Sequence, residues 1–464
     1  MPTNQLLFRS YFKHILLCLV VLSTIGSLSA QSDLSATCQT QSLYQQLKNL
    51  RSNHLLFGHQ NSTFEGIGWE DKDGFEDRSD CEEAVGDYPA VYGFDFVRGF
   101  VFQRHAIRAH ERGAIITFSD HMDNFKTRGG AWDAQNNSVS GILETGSAPQ
   151  SRLIQHLNQV ANFFNGLRDK DGELIPVIYR PFHENTGDWF WWGSPYCTPE
   201  EYVALWQFTI DYLRNTRNIH HVLYAYSPSD PAFRGGYEAR YPGDDYVDII
   251  GFDSYAVLAY EMFLIPNAQL VVEFATQHNK VAALTEFGVN GGIQFAENSD
   301  WFTNVFLAPL KNDPIAKELA YALTWRNDRA NHHWVPLPES PNHPDFVKFY
   351  EDEFTLFEAN LPDLYDCSLL TNTTVIDTNL SEQGNLIMRP NPATDFLTIE
   401  ADHLVPSKRF SLSIFDTSGR LVLENRFYIM DNKINISSLP KGTYFLRLTN
   451  SKMNMPFQAS FTKL

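Results

Sequence analysis

The segment Arg180–Gly193, RPFHENTGDWFWWG, sets the carboxyl of Glu184 directly after His183 and just ahead of the rings of Trp189, Phe190, Trp191 and Trp192. A second acid, Glu286, lies near the end of the apolar run VAALTEFG. Two carboxylates about 5–5.5 Å apart can hydrolyse a glycosidic bond with retention, one protonating the leaving oxygen while the other attacks the anomeric carbon. Neighbouring residues then acquire roles. Tyr255 could hydrogen-bond the nucleophile, His183 could orient it or hold a sugar hydroxyl, and Arg180 could hold a carboxylate ionised. Trp189, Trp191, Trp192 and Trp325 offer flat apolar faces for the C–H faces of a sugar ring. Adjacent residues do not readily face one groove, so at least one of Trp191 and Trp192 is expected to pack inward. The plain alternative is that the whole aromatic run is core.

Such groups need a scaffold. Eight short apolar runs recur, starting at Leu55, Ala90, Ala114, Ile175, Val222, Val247, Val281 and Leu319. They are continuous rather than alternating, as parallel strands covered on both faces require. Helical segments lie between several of them. The clearest starts at Thr198, an N-cap followed by Pro199 and by Glu201 three residues on, and another is expected from Ser151. Eight such repeats predict an α/β (β/α)8 TIM barrel. Sites of these barrels lie at the C-terminal strand ends, which here carry Gln60, Asp95, His121, His183, Glu184, Tyr255, Glu286, Trp325 and Arg326.

Residues 1–30 have the pattern of a cleaved secretory leader: Arg9 and Lys13, an apolar run from Ile15 to Leu22, then small residues ending at Ala30. Losing that segment takes the net charge from −19 to −21, which argues against nucleic acid or an anionic membrane as a partner. No later run is long and apolar enough to span a bilayer, and a monomer is expected. Cys38, Cys81, Cys197 and Cys367 remain. Cys38 and Cys367 bracket one domain, so their pairing is expected, with Cys81–Cys197 as the complement. The catalytic domain is assigned to 31–367 and a polar linker to 368–384, followed by alternating short strands over 385–464 that read as a small all-β sandwich. No cofactor or metal is expected. The DKDG stretches at Asp71 and Asp169 lack the later Glu of a calcium loop, and His332 and His333 are side by side.

GHQ at Gly58, RPFHE with WFWWG, GFDSY at Gly251, TEFG at Thr285 and TWRN at Thr324 closely resemble the pattern of glycoside hydrolase family 26, a group dominated by β-mannanases. The resemblance implies a barrel with Glu184 as acid/base and Glu286 as nucleophile, and with Trp189, Tyr255, Trp325, Arg326 and His121 lining the sugar subsites. His183 stands where most related families carry Asn, as it does in family 26. The implied substrate is β-1,4-mannan, glucomannan or galactomannan. β-1,3-Xylan or mixed-linkage β-glucan is the alternative with the same glutamates, and a non-catalytic glycan-binding protein is the alternative without chemistry. MRPNPATDFLTIE, LSIFDTSGRLVL and INISSLPKGTYFLRL resemble the sorting domain of the type IX secretion system of Bacteroidetes, which implies that machinery as a partner and a secreted or surface-attached protein. A carbohydrate-binding sandwich is the competing reading of the same segment.

Overall fold

The computed structural model describes residues 31–256, 259–371, 386–389, 392–401, 409–416, 421–428, 433–449 and 457–464. The expected leader and most of the expected linker lie outside these residues. The chain forms two compact units, Met1–Thr373 and Thr374–Leu464.

Each of the eight apolar runs is a strand: β1 Leu55–Gln60, β2 Val91–Asp95, β3 Ile115–Asp120, β4 Val177–Pro181, β5 Val222–Tyr226, β6 Ile249–Ala256, β7 Val281–Val289 and β8 Tyr321–Thr324. Each pairs in parallel with the next. β8 returns to β1 through Leu56↔Tyr321 to His59↔Thr324, so the sheet closes into the expected barrel.

Side chains alternate between two apolar layers. Leu56, Val91, Ile115, Ile178, Leu223, Ile249, Val281 and Tyr321, one from each strand, share a single core cluster, which is the barrel interior. The helix α1, Cys38–Leu50, adds Leu43, Tyr44 and Leu47 to that cluster. Residues of the opposite parity face the outer helices: Phe57, for example, stacks among Phe346, Phe349 and Phe357. The period of two fixes which later residues of each strand also point inward. Two residues past Ile178 is Arg180, and four past Ile249 is Asp253, so the interior turns from apolar to charged as it approaches the C-terminal mouth.

β7 breaks this period. Phe252 pairs with Leu284 but Asp253 pairs with Glu286, leaving Thr285 as an extra residue, and β8 sees the same shift between Ala322 and Thr324. Leu284 and Phe287 both pack in the outer layer, three residues apart, with Phe287 stacked on Phe306 at 4.1 Å. This is a β-bulge, and it turns Glu286 to the interior where strict alternation would have sent Thr285. The Thr285 hydroxyl holds the bulge by donating to the Phe252 carbonyl at 2.9 Å and lies 2.6 Å from the Asp253 carboxylate.

The helix at Thr198 forms as expected over Pro199–Asp211, with both reciprocal bonds of the capping box. The helix expected from Ser151 begins earlier, at Ala148, because Ser147 caps it by accepting the Gln150 amide and Pro149 fits its first turn. Cys38 and Cys367 form the expected disulfide, with Cα atoms 5.6 Å apart. The Cys81–Cys197 complement does not form. Both are buried free thiols held in different surroundings: the Cys81 amide donates to the Ser79 hydroxyl, while Cys197 Sγ meets the Trp192 carbonyl at 3.3 Å and the Arg240 guanidinium at 3.5 Å.

In the second unit all strands pair antiparallel, in a three-stranded sheet (Leu386–Arg389, Phe396–Ala401, Lys433–Asn435) and a four-stranded one (Arg409–Asp416, Leu421–Tyr428, Gly442–Thr449, Phe457–Lys463). Leu397 and Ile434 of the first share one apolar core with Leu412, Ile414, Leu446 and Phe461 of the second.

Two measurements check the covalent frame. In a chain starting at residue 31, thiol titration without reductant should find no reactive thiol in the folded protein and two after denaturation. Replacing Cys38 and Cys367 by Ser should lower unfolding free energy by about 2–5 kcal/mol, read from the denaturant midpoint.

Candidate active site

At the mouth of the barrel Arg180 is almost completely buried, which an unpaired cation could not tolerate. Its guanidinium donates to Asp253 at 2.7 Å, to the Ser227 hydroxyl at 3.0 Å and to one oxygen of Glu286. The other Glu286 oxygen accepts the Tyr255 hydroxyl at 2.9 Å. Burial, and then the charge of Glu286, raise Tyr255 well above the usual phenol value, so it remains a donor. Glu286 is thereby fixed from two sides.

Glu184 is held differently. The chain leaving β4 is strained: Phe182 and Glu184 have φ of 48° and 53°, a left-handed backbone that costs side-chain-bearing residues about 1–3 kcal/mol each. Specific bonds enforce it. The Phe182 carbonyl accepts the Tyr202 hydroxyl at 3.0 Å, the His183 carbonyl accepts Trp192 Nε1 at 2.7 Å, and the Glu184 amide donates to the Ser227 carbonyl at 2.7 Å. The Glu184 carboxyl accepts Trp189 Nε1 at 2.7 Å. Burial, followed by the negative charge of Glu286, pushes its pKa up to about 7, against the pull of Trp189, Arg180 and His121.

Trp191 and Trp192, both among the candidate flat sugar faces and at least one of them expected to pack inward, are both fully buried. Trp192 pins His183, and Trp191 bonds the Met122 carbonyl at 2.9 Å, tying the loop after β3 to the loop after β4. Trp189 and Trp325 are half-buried. His183 is fully buried, and burial with the Arg180 charge lowers its pKa well below the imidazole norm. It is not the group that orients Glu286, whose hydrogen bonds come from Arg180 and Tyr255 among the described residues. Its ring packs edge-on to His121, with centroids 4.6 Å apart. His121 in turn bonds Asp95. Burial disfavours the His121 cation, but the Asp95 carboxylate more than offsets it and the pKa rises. Arg326 is held by Glu65 at 2.7 Å and Asp328 at 3.3 Å.

Two members of the site escape the sequence reading. Asp253 lies within GFDSY, and its parity with Tyr255, two residues on, is the signal that marks it. Trp132 lies in a loop without period, 65% exposed, with its ring stacked on His121 at 5.2 Å and 14°. Elsewhere the DKDG stretches are closed turns: Asp71 accepts the amides of Asp73, Gly74 and Glu76, and Asp169 those of Asp171 and Glu173. His332 bonds Asp328.

The paired carboxyls give a direct test. Followed by carbon NMR, the Glu184 carboxyl should titrate near 7. Glu286→Gln, which removes a negative neighbour, should lower that midpoint, and Trp189→Phe, which removes a donor to the charged form, should raise it.

The chain as a whole is similar to known proteins. The model of glycosyl hydrolase family 26 matches residues 32–319, and that of a secretion system C-terminal sorting domain matches residues 388–456. A mannan endo-1,4-beta-mannosidase of Bifidobacterium adolescentis is 33% identical over 329 residues, covering 64% of this chain and 32% of the relative. One from Bacillus subtilis is 29% identical over 236 residues, covering 46% and 62%. The chain thus spans less than two thirds of the length of these relatives. Among solved structures, a modular endo-beta-1,4-mannanase from Cellulomonas fimi superposes with TM-score 0.69 at 28% identity, covering 94% of this chain and 99% of that one. A family 26 beta-mannanase from Bacteroides ovatus gives 0.65 at 35% identity, covering 71% and 98%.

Proposed function

The chain belongs to glycosyl hydrolase family 26, and from that premise we propose that it is a retaining endo-acting hydrolase of β-1,4-mannan, glucomannan or galactomannan. The observation that carries this reading is the unequal treatment of two neighbouring carboxyls. Glu286 is gripped by a guanidinium and a phenol, while Glu184 has its pKa raised to about 7. A carboxyl raised toward neutrality can hold a proton to give away, while one fixed by a cation and a phenol is positioned to attack.

In the first step a Glu286 oxygen bonds to the anomeric carbon as the glycosidic C–O bond breaks, and Glu184 gives its proton to the departing oxygen. Arg180 and Tyr255 fix the attacking carboxylate in place. In the second, the Glu184 carboxylate takes a proton from water, the water oxygen bonds to the anomeric carbon, and the bond to Glu286 breaks. Two inversions leave the configuration retained. Trp189, by bonding the acid, keeps its proton directed at the leaving group, and Trp132 on His121 offers a flat wall for a sugar ring. We assign the remaining expected residues, His183, Trp325 and Arg326, to sugar contact around this pair. The matched sorting domain makes this a secreted or cell-surface protein, and among the described residues no helix is long and apolar enough to cross a membrane.

Catalysis requires Glu184 protonated in the first step, so kcat/KM should fall as pH rises through about 7. Glu286→Ala should lose essentially all hydrolysis yet still bind mannooligosaccharides. Glu184→Ala should turn over only substrates with good leaving groups. Product analysis on linear mannan, galactomannan, β-1,3-xylan and mixed-linkage β-glucan tests the substrate. Mannooligosaccharides of graded length support the proposal, and products from xylan or glucan alone overturn its substrate. Unchanged polysaccharide hydrolysis by either variant overturns the catalytic pair.

A further inference from the structure

The loop after β5 presents groups that the reaction at Glu184 does not use. Arg234 is exposed, with its guanidinium 4.7 Å from the ring centroid of Trp189, the residue that bonds Glu184. Among the described residues its guanidinium forms no hydrogen bond or ion pair, leaving its N–H groups available. Beside it Phe233 is 52% exposed and packs at 4.9 Å against Phe263, itself 39% exposed, on the helix Glu261–Gln277.

These exposed side chains are not on a loose segment. Asp230, with φ of 42°, receives the amides of both Phe233 and Arg234 on its carbonyl at 3.0 Å. Its carboxylate accepts the Ser254 hydroxyl at 2.7 Å and the amide of fully buried Asn267 at 3.1 Å, while the Asn267 carbonyl oxygen accepts the Ala232 amide at 2.8 Å. The backbone beneath Phe233 and Arg234 is therefore anchored to β6 and to that helix, so binding through them costs little ordering.

We propose that Phe233, Arg234 and Phe263 form a subsite for the β-1,4-linked neutral hexoses on the leaving-group side of the scissile bond, at least one sugar beyond the first. The inference rests on Glu184 being the proton donor, since a donor to the departing oxygen must face the departing chain, and Arg234 lies over the ring of Trp189, which bonds that donor. The chemistry suits that occupant. A planar guanidinium donates in a fork to neighbouring hydroxyls, and an exposed pair of phenyl rings receives the apolar face of a pyranose. Full occupation of this side would favour cuts that leave two or more sugars on the leaving fragment.

The test uses the full chain and compares mannopentaose with an aryl β-mannobioside, whose phenolic leaving group carries no sugar into this region. Arg234→Ala and Phe233→Ala, both at exposed positions, should each lower the ratio of kcat/KM for mannopentaose to that for the aryl substrate by about ten-fold, the size of one lost charged hydrogen bond or sugar stack. Their product patterns should shift toward release of single sugars from the reducing end. An unchanged ratio and pattern in an active enzyme overturns the subsite alone. A wild-type protein that cleaves neither substrate overturns the mannanase reading, and the subsite with it.

Discussion

A guanidinium buried inside the barrel sets the terms for the rest of this structure. Arg180 projects from the second residue layer of β4 into the interior, where solvent cannot screen it, and its charge is compensated by Asp253 from β6 and Glu286 from β7. Losing either partner would leave a buried charge short of compensation, far costlier than losing a surface ion pair. Three strands are thus locked to one another at the mouth by a cation whose position is fixed by strand parity. The same bonds leave Glu286 with little freedom to swing.

The aromatic run after β4 divides its labour. Trp189 touches the acid, whereas Trp191 and Trp192 turn away and direct their indole N–H groups to backbone carbonyls. The Trp192 bond helps hold two left-handed residues flanking His183, a conformation that local preference opposes and that the packed surroundings sustain. Burial of two indoles next to the site therefore acts at a distance, setting the direction in which Glu184 leaves the chain.

Electrostatics derive from the same packing. Glu184 is lifted because it is desolvated and faces a second carboxylate, and its neighbouring donors moderate the shift without cancelling it. His183 and His121 diverge for the opposite reasons, one buried beside Arg180 and lowered, the other bonded to Asp95 and raised. Groups of one chemical type thus acquire different protonation behaviour within a few ångströms, through surroundings supplied by four different strands.

Much of this was legible in the residues. Continuous apolar runs at regular intervals specify buried parallel strands, and eight of them specify a closed barrel, because both depend on local sequence and on the generic burial of apolar surface. The acids at strand ends, the capping box at Thr198 and the bracketing cysteines Cys38 and Cys367 were readable for the same reason. What sequence could not reveal is where a side chain points once the strand period is broken. The extra residue Thr285 reverses the parity of β7, and nothing in TEFG announces it, since the bond that holds the bulge runs from the Thr285 hydroxyl to a carbonyl of β6, far away in sequence. Nor could it show that Trp191 and Trp192 both turn to the core, or keep Cys81 and Cys197 apart, because each outcome is decided by which carbonyl or guanidinium the fold brings within reach. Composition and spacing determine the scaffold and the parity of its strands; the aim of Glu184 and Glu286, where that parity is broken or left behind, is decided by long-range contacts.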